Sequence, residues 1–343
     1  MTNFEKKLII MNQKSEKYQQ IKDHFFKSHL NLTNFYKEHY QDYSYKSPKQ
    51  LKDAMIMQGI TIRAKNEYVL SLNLKQSGDY KHYNLDSLEN FGIAESIGKD
   101  HLPFYLPEQF KKVGILSDIH VPFHHLESLT CAIKYLKNQE IDCLYLNGDI
   151  FDTYSLSSFI KEPDLRDFPR EVDMCREFMQ RIRDIFKHIP IYFKLGNHEN
   201  RYARILQNQA EEFAQIHDLQ FEIFFHLERL GYNMVQDWQG CYMGDLLVLH
   251  GHELYGSGGA NPAQNLLNKV TCNALMGHVH KTSFAMKKTG FKEFIKTYTT
   301  GCLTYTSPKY MVMAQHNQGF AIVEIENGKS NVHNKIIKDG KVL

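Results

Sequence analysis

The sequence predicts an α/β protein, and three observations carry that prediction. Apolar runs at Val113–Leu116, Cys143–Leu146 and Ile191–Leu195 have strand length, and each ends in a short motif rich in Gly, Asp, Asn or His. The segments between them are long enough for crossover helices. In Glu171–Lys187, for instance, Val172, Cys175, Phe178, Met179, Ile182, Ile185 and Phe186 recur at helical spacing and form one apolar face. Alternation of strand, helix and strand implies parallel pairing, with the motif side chains gathered beyond one edge of the sheet.

The chain divides near residues 100–112, which gives an N-terminal domain over 1–105 and a second over 106–343. In the first, Ser15–Phe26 and Thr33–Tyr40 read as helices. Ser47-Pro48 starts a third, with serine as N-cap and proline in the first turn, and Gly59 stops it. Ile60–Ile62 and Tyr68–Leu72 then read as a hairpin. Three helices and a hairpin outline a winged helix, which would place a helix in a DNA groove. Small helical domains of the same outline also serve packing, oligomerisation or substrate gating, and both readings stand. The Tyr and Phe residues here lie at helical spacing and read as core rather than as base-stacking platforms. In the second domain, Leu246–Ile325 adds short strands without long helices between them.

Length and composition suit a globular enzyme. At 343 residues, 42% of them hydrophobic, the chain can bury one large core and carry a smaller second domain. No run approaches the ~20 apolar residues of a membrane span, and Met1–Lys7 lacks a signal-peptide core, so a cytoplasmic protein without membrane partners is expected. The six cysteines, at 131, 143, 175, 241, 272 and 302, show no C-x-x-C spacing and read as reduced core residues. A net charge of +2 neither demands nor excludes nucleic acid, although residues 1–65 carry twelve Lys/Arg against six Asp/Glu.

Chemistry is concentrated in five motifs: Asp118-Ile-His120, Gly148-Asp149-Ile-Phe-Asp152, Gly196-Asn197-His198-Glu199, His250-Gly-His252 and Gly277-His278-Val-His280. A divalent cation needs several oxygen and nitrogen donors converging on it, and two cations about 3.5–4 Å apart can share a carboxylate and clamp a phosphate. The five motifs supply about the right number of donors. In Asp-x-His and His-x-His both side chains can leave one strand end together, and glycines at 148, 196 and 277 permit tight turns and close approach. Arg201 and Arg204 follow the third motif, where a guanidinium could pair with phosphate; a solvated helix face is the bland alternative. Eighteen histidines offer many accidental matches, and His188, His217 and His226, which lie in no motif, are assigned nothing.

In this order and spacing, D-x-H, G-D-x-x-D, G-N-H-E, H and G-H-x-H resemble the calcineurin-like metallophosphoesterases, from about Val113 to Ile325. The text between the motifs, Ser155–Phe159, Arg201, Gly301 and Asn317–Phe320, is similar to the branch encoded by phages and prophages. The resemblance implies a four-layer α/β/β/α sandwich of two mixed sheets, preceded here by the small, mostly helical domain. It also implies a dinuclear site in which Asp118, His120 and His280 bind one metal, Asn197, His250 and His278 the other, and Asp149 bridges them. His250 is preferred to His252, which stays a candidate substrate contact, with a structural role as the alternative. A metal-bridging hydroxide would attack phosphorus in line with the leaving group. His198 would contact the phosphoryl oxygens or protonate the leaving group, Asp152 would orient His198 and support its cation, and Glu199 would back the ligands.

Manganese is the first metal expected; iron, zinc, nickel and cobalt also suit imidazole and carboxylate ligands without thiolate. Asp152 is followed by Thr153-Tyr154 and Gly196 is preceded by Leu195, where the protein-phosphatase branch has Arg-Gly and arginine. These departures argue against a phosphoserine phosphatase. A phosphodiesterase or nuclease acting on nucleic acid or nucleotides is the first expectation, from the possible DNA-binding module and the phage-like text, with a phosphomonoesterase or nucleotide-anhydride hydrolase as the alternative. A non-catalytic docking module on the same fold would show missing ligand positions, and here all are filled.

Overall fold

The computed structural model describes residues 16–28, 32–57, 60, 100–290, 293–307 and 313–343, and the chain comprises two compact units, Met1–Phe104 and Tyr105–Leu343. The first unit holds helices over 16–27, Leu32–His39 and Pro48–Met57. Ser47 caps the third: its carbonyl and Oγ accept the Gln50 N–H at 3.1 and 3.4 Å. Ile21, Phe25, Phe35, Leu51 and Met55 are fully buried at the centre, and Tyr18, Tyr36, Tyr40, Tyr43 and Tyr45 pack around them, so the aromatic residues are core. The expected hairpin at 60–72 and the stop at Gly59 lie outside the described residues, apart from Ile60.

The second unit is built on two mixed sheets. The seven-stranded sheet runs Lys341–Val342, Lys329–Lys338, Gln318–Glu326, Lys112–Leu116, Cys143–Asn147, Ile191–Lys194, Tyr232–Val235. Its last four strands are parallel, as the strand-helix alternation implies, and Gln318–Glu326 returns antiparallel to Lys112–Leu116. The six-stranded sheet runs Phe104–Tyr105, Cys241–Met243, Leu246–Leu249, Asn273–Met276, Glu293–Thr299, Ser283–Thr289. Cys143–Asn147 is buried at every residue because helices cover one face of its sheet and the second sheet covers the other.

The helices Leu126–Asn138 and Phe168–Ile185 form the outer layer on the seven-stranded side; the second buries Val172, Cys175, Met179 and Ile182 into the main core. On the other side the layer is thin: the six-residue helix Pro262–Leu267 packs Ala263 and Leu267 on Ala285. The result is the four-layer sandwich. All six cysteines are free, four of them buried. Among the described residues no helix is long and apolar enough to cross a membrane. Each of the strands Lys112–Leu116, Cys143–Asn147, Ile191–Lys194, Leu246–Leu249 and Asn273–Met276 ends within two residues of one of the five motifs, so the motifs meet along one rim of the two sheets.

Candidate metal centre

The donor loops hold an unusual backbone. Asp118, His120, Asp149, His278 and His280 take left-handed φ values of 55, 56, 51, 65 and 53°, although none is glycine. Such positions cost roughly 1–3 kcal/mol each and persist only where surrounding bonds over-determine them. Here the Asp118 and His120 amides donate to the carbonyls of Gly148 (3.1 Å) and Asp149 (3.0 Å), and Leu303 N–H donates to Asp118 O at 3.0 Å. Ile119, fully buried between them, anchors the turn in the core. Glycine is required where the loops touch: a Cβ on Gly148 would lie 2.5 Å from His250 Nδ1, and one on Gly277 would lie 2.6 Å from Asp118 Oδ2.

Three groups of donors converge, each with ligand atoms within 4.8 Å of one another: Asp118, His120 and His280; His120, Asp149 and His198; Asp149, His250 and His278. In the first, His280 Nε2 lies 3.1 Å from Asp118 Oδ1 and 3.2 Å from His120 Nε2. In the third, His250 Nε2 lies 3.2 Å from Asp149 Oδ2 and 3.3 Å from Asn197 Oδ1. Asp149 belongs to two groups. The structure therefore brings together all seven residues named as ligands from the sequence.

Of the groups that hold these donors, only Glu199 and Asp152 were named from the sequence. Asn147 accepts from His250 Nδ1 through its carbonyl at 2.7 Å, which fixes the tautomer and leaves Nε2 to face Asp149. Glu199 accepts four backbone N–H groups: Asp149 at 3.0 Å, Ile150 at 2.7 Å, Phe151 at 2.9 Å and Gly196 at 2.8 Å, so one buried carboxylate ties the second motif to the third. Lys194, wholly buried, pairs with Glu253 at 2.9 Å, and Glu253 accepts the amides of His250 (3.1 Å) and Gly251 (2.6 Å). That ion pair joins the end of a strand in one sheet to the loop leaving the other. Ser117 Oγ donates to Asp118 Oδ2 at 2.5 Å.

Asp152 differs from expectation in the atoms it uses. Its carboxylate bonds His120 Nδ1 at 3.1 Å, whereas His198 Nδ1 is 3.6 Å from the carboxylate and donates instead to the Asp152 main-chain carbonyl at 2.9 Å. The carboxylate thus orients His120 first, and the backbone orients His198. Arg201 donates from Nη1 to the Asp152 carbonyl at 2.9 Å and from Nη2 to His198 Nε2 at 3.0 Å. Arg204 is exposed farther along the helix Asn200–Gln209. His252 packs on His250, with ring centroids 5.3 Å apart, and places Nδ1 3.6 Å from Glu253 Oε2, outside the three donor groups.

Burial and charge oppose each other throughout this cluster. Burial alone would lower His250, yet Asp149 and Asp118 push its pKa up to about 10. Asp118 likewise drives half-buried His280 well above the usual imidazole value, against the effect of burial. Asp149 is held well below the carboxylate range, against its burial, by His198 and His250. For His198 burial wins over Asp149 and Asp152 and takes the pKa to about 4, so the ring is neutral rather than the cation expected from the sequence. Burial and Asp149 raise Glu199 to about 7.

The donor set fits two divalent cations. Two Nε2 atoms face each other beside one carboxylate oxygen, and His278 Nδ1 is buried with no hydrogen-bond partner, an arrangement that suits a cation better than neutral imidazoles alone. Residues 111–301 match the family described as calcineurin-like phosphoesterase. Over 193 residues the chain is 22% identical to the gene 54 protein of Mycobacterium phage L5, covering 53% of this chain and 73% of that one. Among solved structures it is similar to Yfce, a phosphoesterase from E. coli, with 14% identity, a TM-score of 0.33 and coverage of 68% of this chain and 96% of that one. It is also similar to vacuolar protein sorting 29 from Cryptosporidium parvum, with 13% identity, a TM-score of 0.38 and coverage of 68% and 95%.

Proposed function

The chain belongs to the calcineurin-like phosphoesterase family, and on that premise we propose that it is a two-metal phosphodiesterase or nuclease acting on nucleotides or nucleic acid. The observation that carries this reading is the convergence of two carboxylates and five imidazoles on neighbouring points, with His120 and Asp149 each shared by two groups. In the proposed assignment Asp118, His120 and His280 hold one cation, Asn197, His250 and His278 hold the other, and Asp149 lies between. Manganese is the first choice for a site of imidazole and carboxylate without thiolate. When bound, the cations supply Lewis-acid polarisation of a phosphoryl oxygen and acidification of water.

The residues of the chain do the positioning. Asn147 and Asp152 fix the rings of His250 and His120, so Nε2 of each faces the cluster. His198 and Arg201 form one hydrogen-bonded unit. With its Nδ1–H given to the Asp152 carbonyl, His198 carries no proton at Nε2 for a leaving oxygen; Nε2 accepts from Arg201 and positions that guanidinium, whose remaining N–H groups can reach a phosphoryl oxygen. The sequence after Asp152 and before Gly196 lacks the arginines of the protein-phosphatase branch, which argues against a phosphoserine phosphatase. Nucleic acid held through the first unit belongs to this proposal, supported by the basic excess of residues 1–65.

The test is Mn2+-dependent hydrolysis of bis-p-nitrophenyl phosphate against p-nitrophenyl phosphate. A diester preference lost in Asp149→Asn and His198→Ala is expected. A monoester preference would replace this reading with a phosphomonoesterase. A gel-shift assay with duplex DNA, repeated on a chain lacking residues 1–104, separates a nucleic-acid role of the first unit from a purely structural one.

A further inference from the structure

A cavity of about 340 Å³ adjoins the donor cluster, and His278 forms part of its wall. Its size falls in the range of small-molecule pockets, roughly 300–1,000 Å³, and well exceeds what a bare phosphate needs. Val279 and Pro262 give it apolar surface. Polar groups line the remainder: Lys281, Gln315 and His316. Lys281 Nζ is held by the Ala260 carbonyl at 2.8 Å and by Gln315 Oε1 at 2.7 Å, which uses two of its three donors and fixes the third. His316 packs edge-on against His280, with ring centroids 4.9 Å apart, and its buried Nδ1 has no hydrogen-bond partner. The cavity therefore meets the donor cluster at His278, and it offers apolar wall together with unspent hydrogen-bonding groups.

We infer that this cavity receives the nucleoside arm of a phosphodiester, the substituent that stays on phosphorus after the leaving group departs. A planar base with a polar edge and a sugar hydroxyl match a pocket whose walls are apolar and whose fixed donors and acceptors lie to one side. A methyl or ethyl arm would leave these groups without partners, and selection against such an arm is the usual result of a site built to hydrogen-bond. The inference rests on the phosphodiesterase reading and adds to it the class of the retained group.

The experiment uses the full-length, Mn2+-loaded protein and two diesters with the same leaving group, thymidine 5′-(p-nitrophenyl phosphate) and methyl p-nitrophenyl phosphate. The kcat/KM ratio should favour the thymidine ester at least about tenfold. That ratio should fall at least about fivefold in Lys281→Ala, and likewise in Gln315→Trp, whose bulk enters the cavity. Calorimetric titration with thymidine 5′-monophosphate should show binding weakened in the same two variants. Equal kcat/KM for the two diesters, or a ratio unchanged in both variants, would overturn the nucleoside pocket and leave the diesterase reading standing. Turnover of p-nitrophenyl phosphate with neither diester cleaved would overturn both.

Discussion

The two halves of the donor cluster are held in different ways. Around Asp149, Asn197, His250 and His278 the central imidazole is wholly buried, its tautomer is fixed by the Asn147 carbonyl, and its loop is fastened by the buried Lys194–Glu253 pair. In the other, outer half, around Asp118, His120 and His280, the fixing bond is that of the Asp152 carboxylate to His120 Nδ1 at 3.1 Å, and two Nε2 atoms face each other at 3.2 Å. In the inner half the protein buries and fixes the central imidazole; in the outer half a proton or a cation must lie between the facing imidazoles. The difference teaches that the residue types in a motif set the chemistry, whereas the bonds behind them set the order in which metals bind. Two-step calorimetry with Mn2+ should show the inner half filling first.

The largest effect should come from removing what the halves share. Asp149→Asn is expected to lower kcat/KM at least about 10³-fold and to release both metals, as read by elemental analysis, because the variant removes charge where two cations must coexist. Retained wild-type hydrolysis would contradict the assignment. Next comes the support of the inner half. Lys194→Met leaves Glu253, held at about 2 by Lys194 against its burial, as an unpaired buried carboxylate. Breaking such a pair costs roughly 3–5 kcal/mol, so a marked fall in the denaturant midpoint is expected, with first-step metal affinity falling more than second-step.

Asp152→Asn strikes the outer half, because the carboxylate orients His120. The second binding step should weaken about 10–100-fold while the first changes little. Equal weakening of both steps would erase the contrast between the halves.

The smallest effect is on pH. In the metal-free protein His250 has its pKa raised to about 10 and His280 is raised well above its ordinary value. Such groups favour the folded metal-free state below their unfolded pKa of about 6.5, and that contribution fades as pH rises through the folded values. Cations must displace the same protons, so metal affinity rises with pH. The gap in Tm between loaded and metal-free protein should therefore widen from pH 6 to pH 9, and a gap independent of pH would show that neither imidazole carries a proton to be displaced.

The five motifs were legible in the sequence because each is local: a strand exit, a turn and one or two donors within five residues. The parallel strands were legible for a similar reason, since Val113–Leu116, Cys143–Leu146 and Ile191–Leu195 are apolar runs with helical segments between them. The supports were not. Asn147 meets His250 across 103 positions of chain, and nothing in the asparagine's neighbourhood marks its carbonyl as the partner. Lys194 interrupts an apolar run, and nothing near it in the sequence points to Glu253, which the opposite sheet brings to it. The charge of His198 was misjudged because a neighbouring carboxylate can be read from a motif while the depth of burial cannot.

The most direct measurement is an anomalous difference map from crystals grown with Mn2+. The account predicts two peaks about 3.5–4 Å apart, one enclosed by Asp118, His120 and His280, the other by Asn197, His250 and His278, with Asp149 touching both. A single peak, or two peaks of which one lies away from these residues, would contradict it.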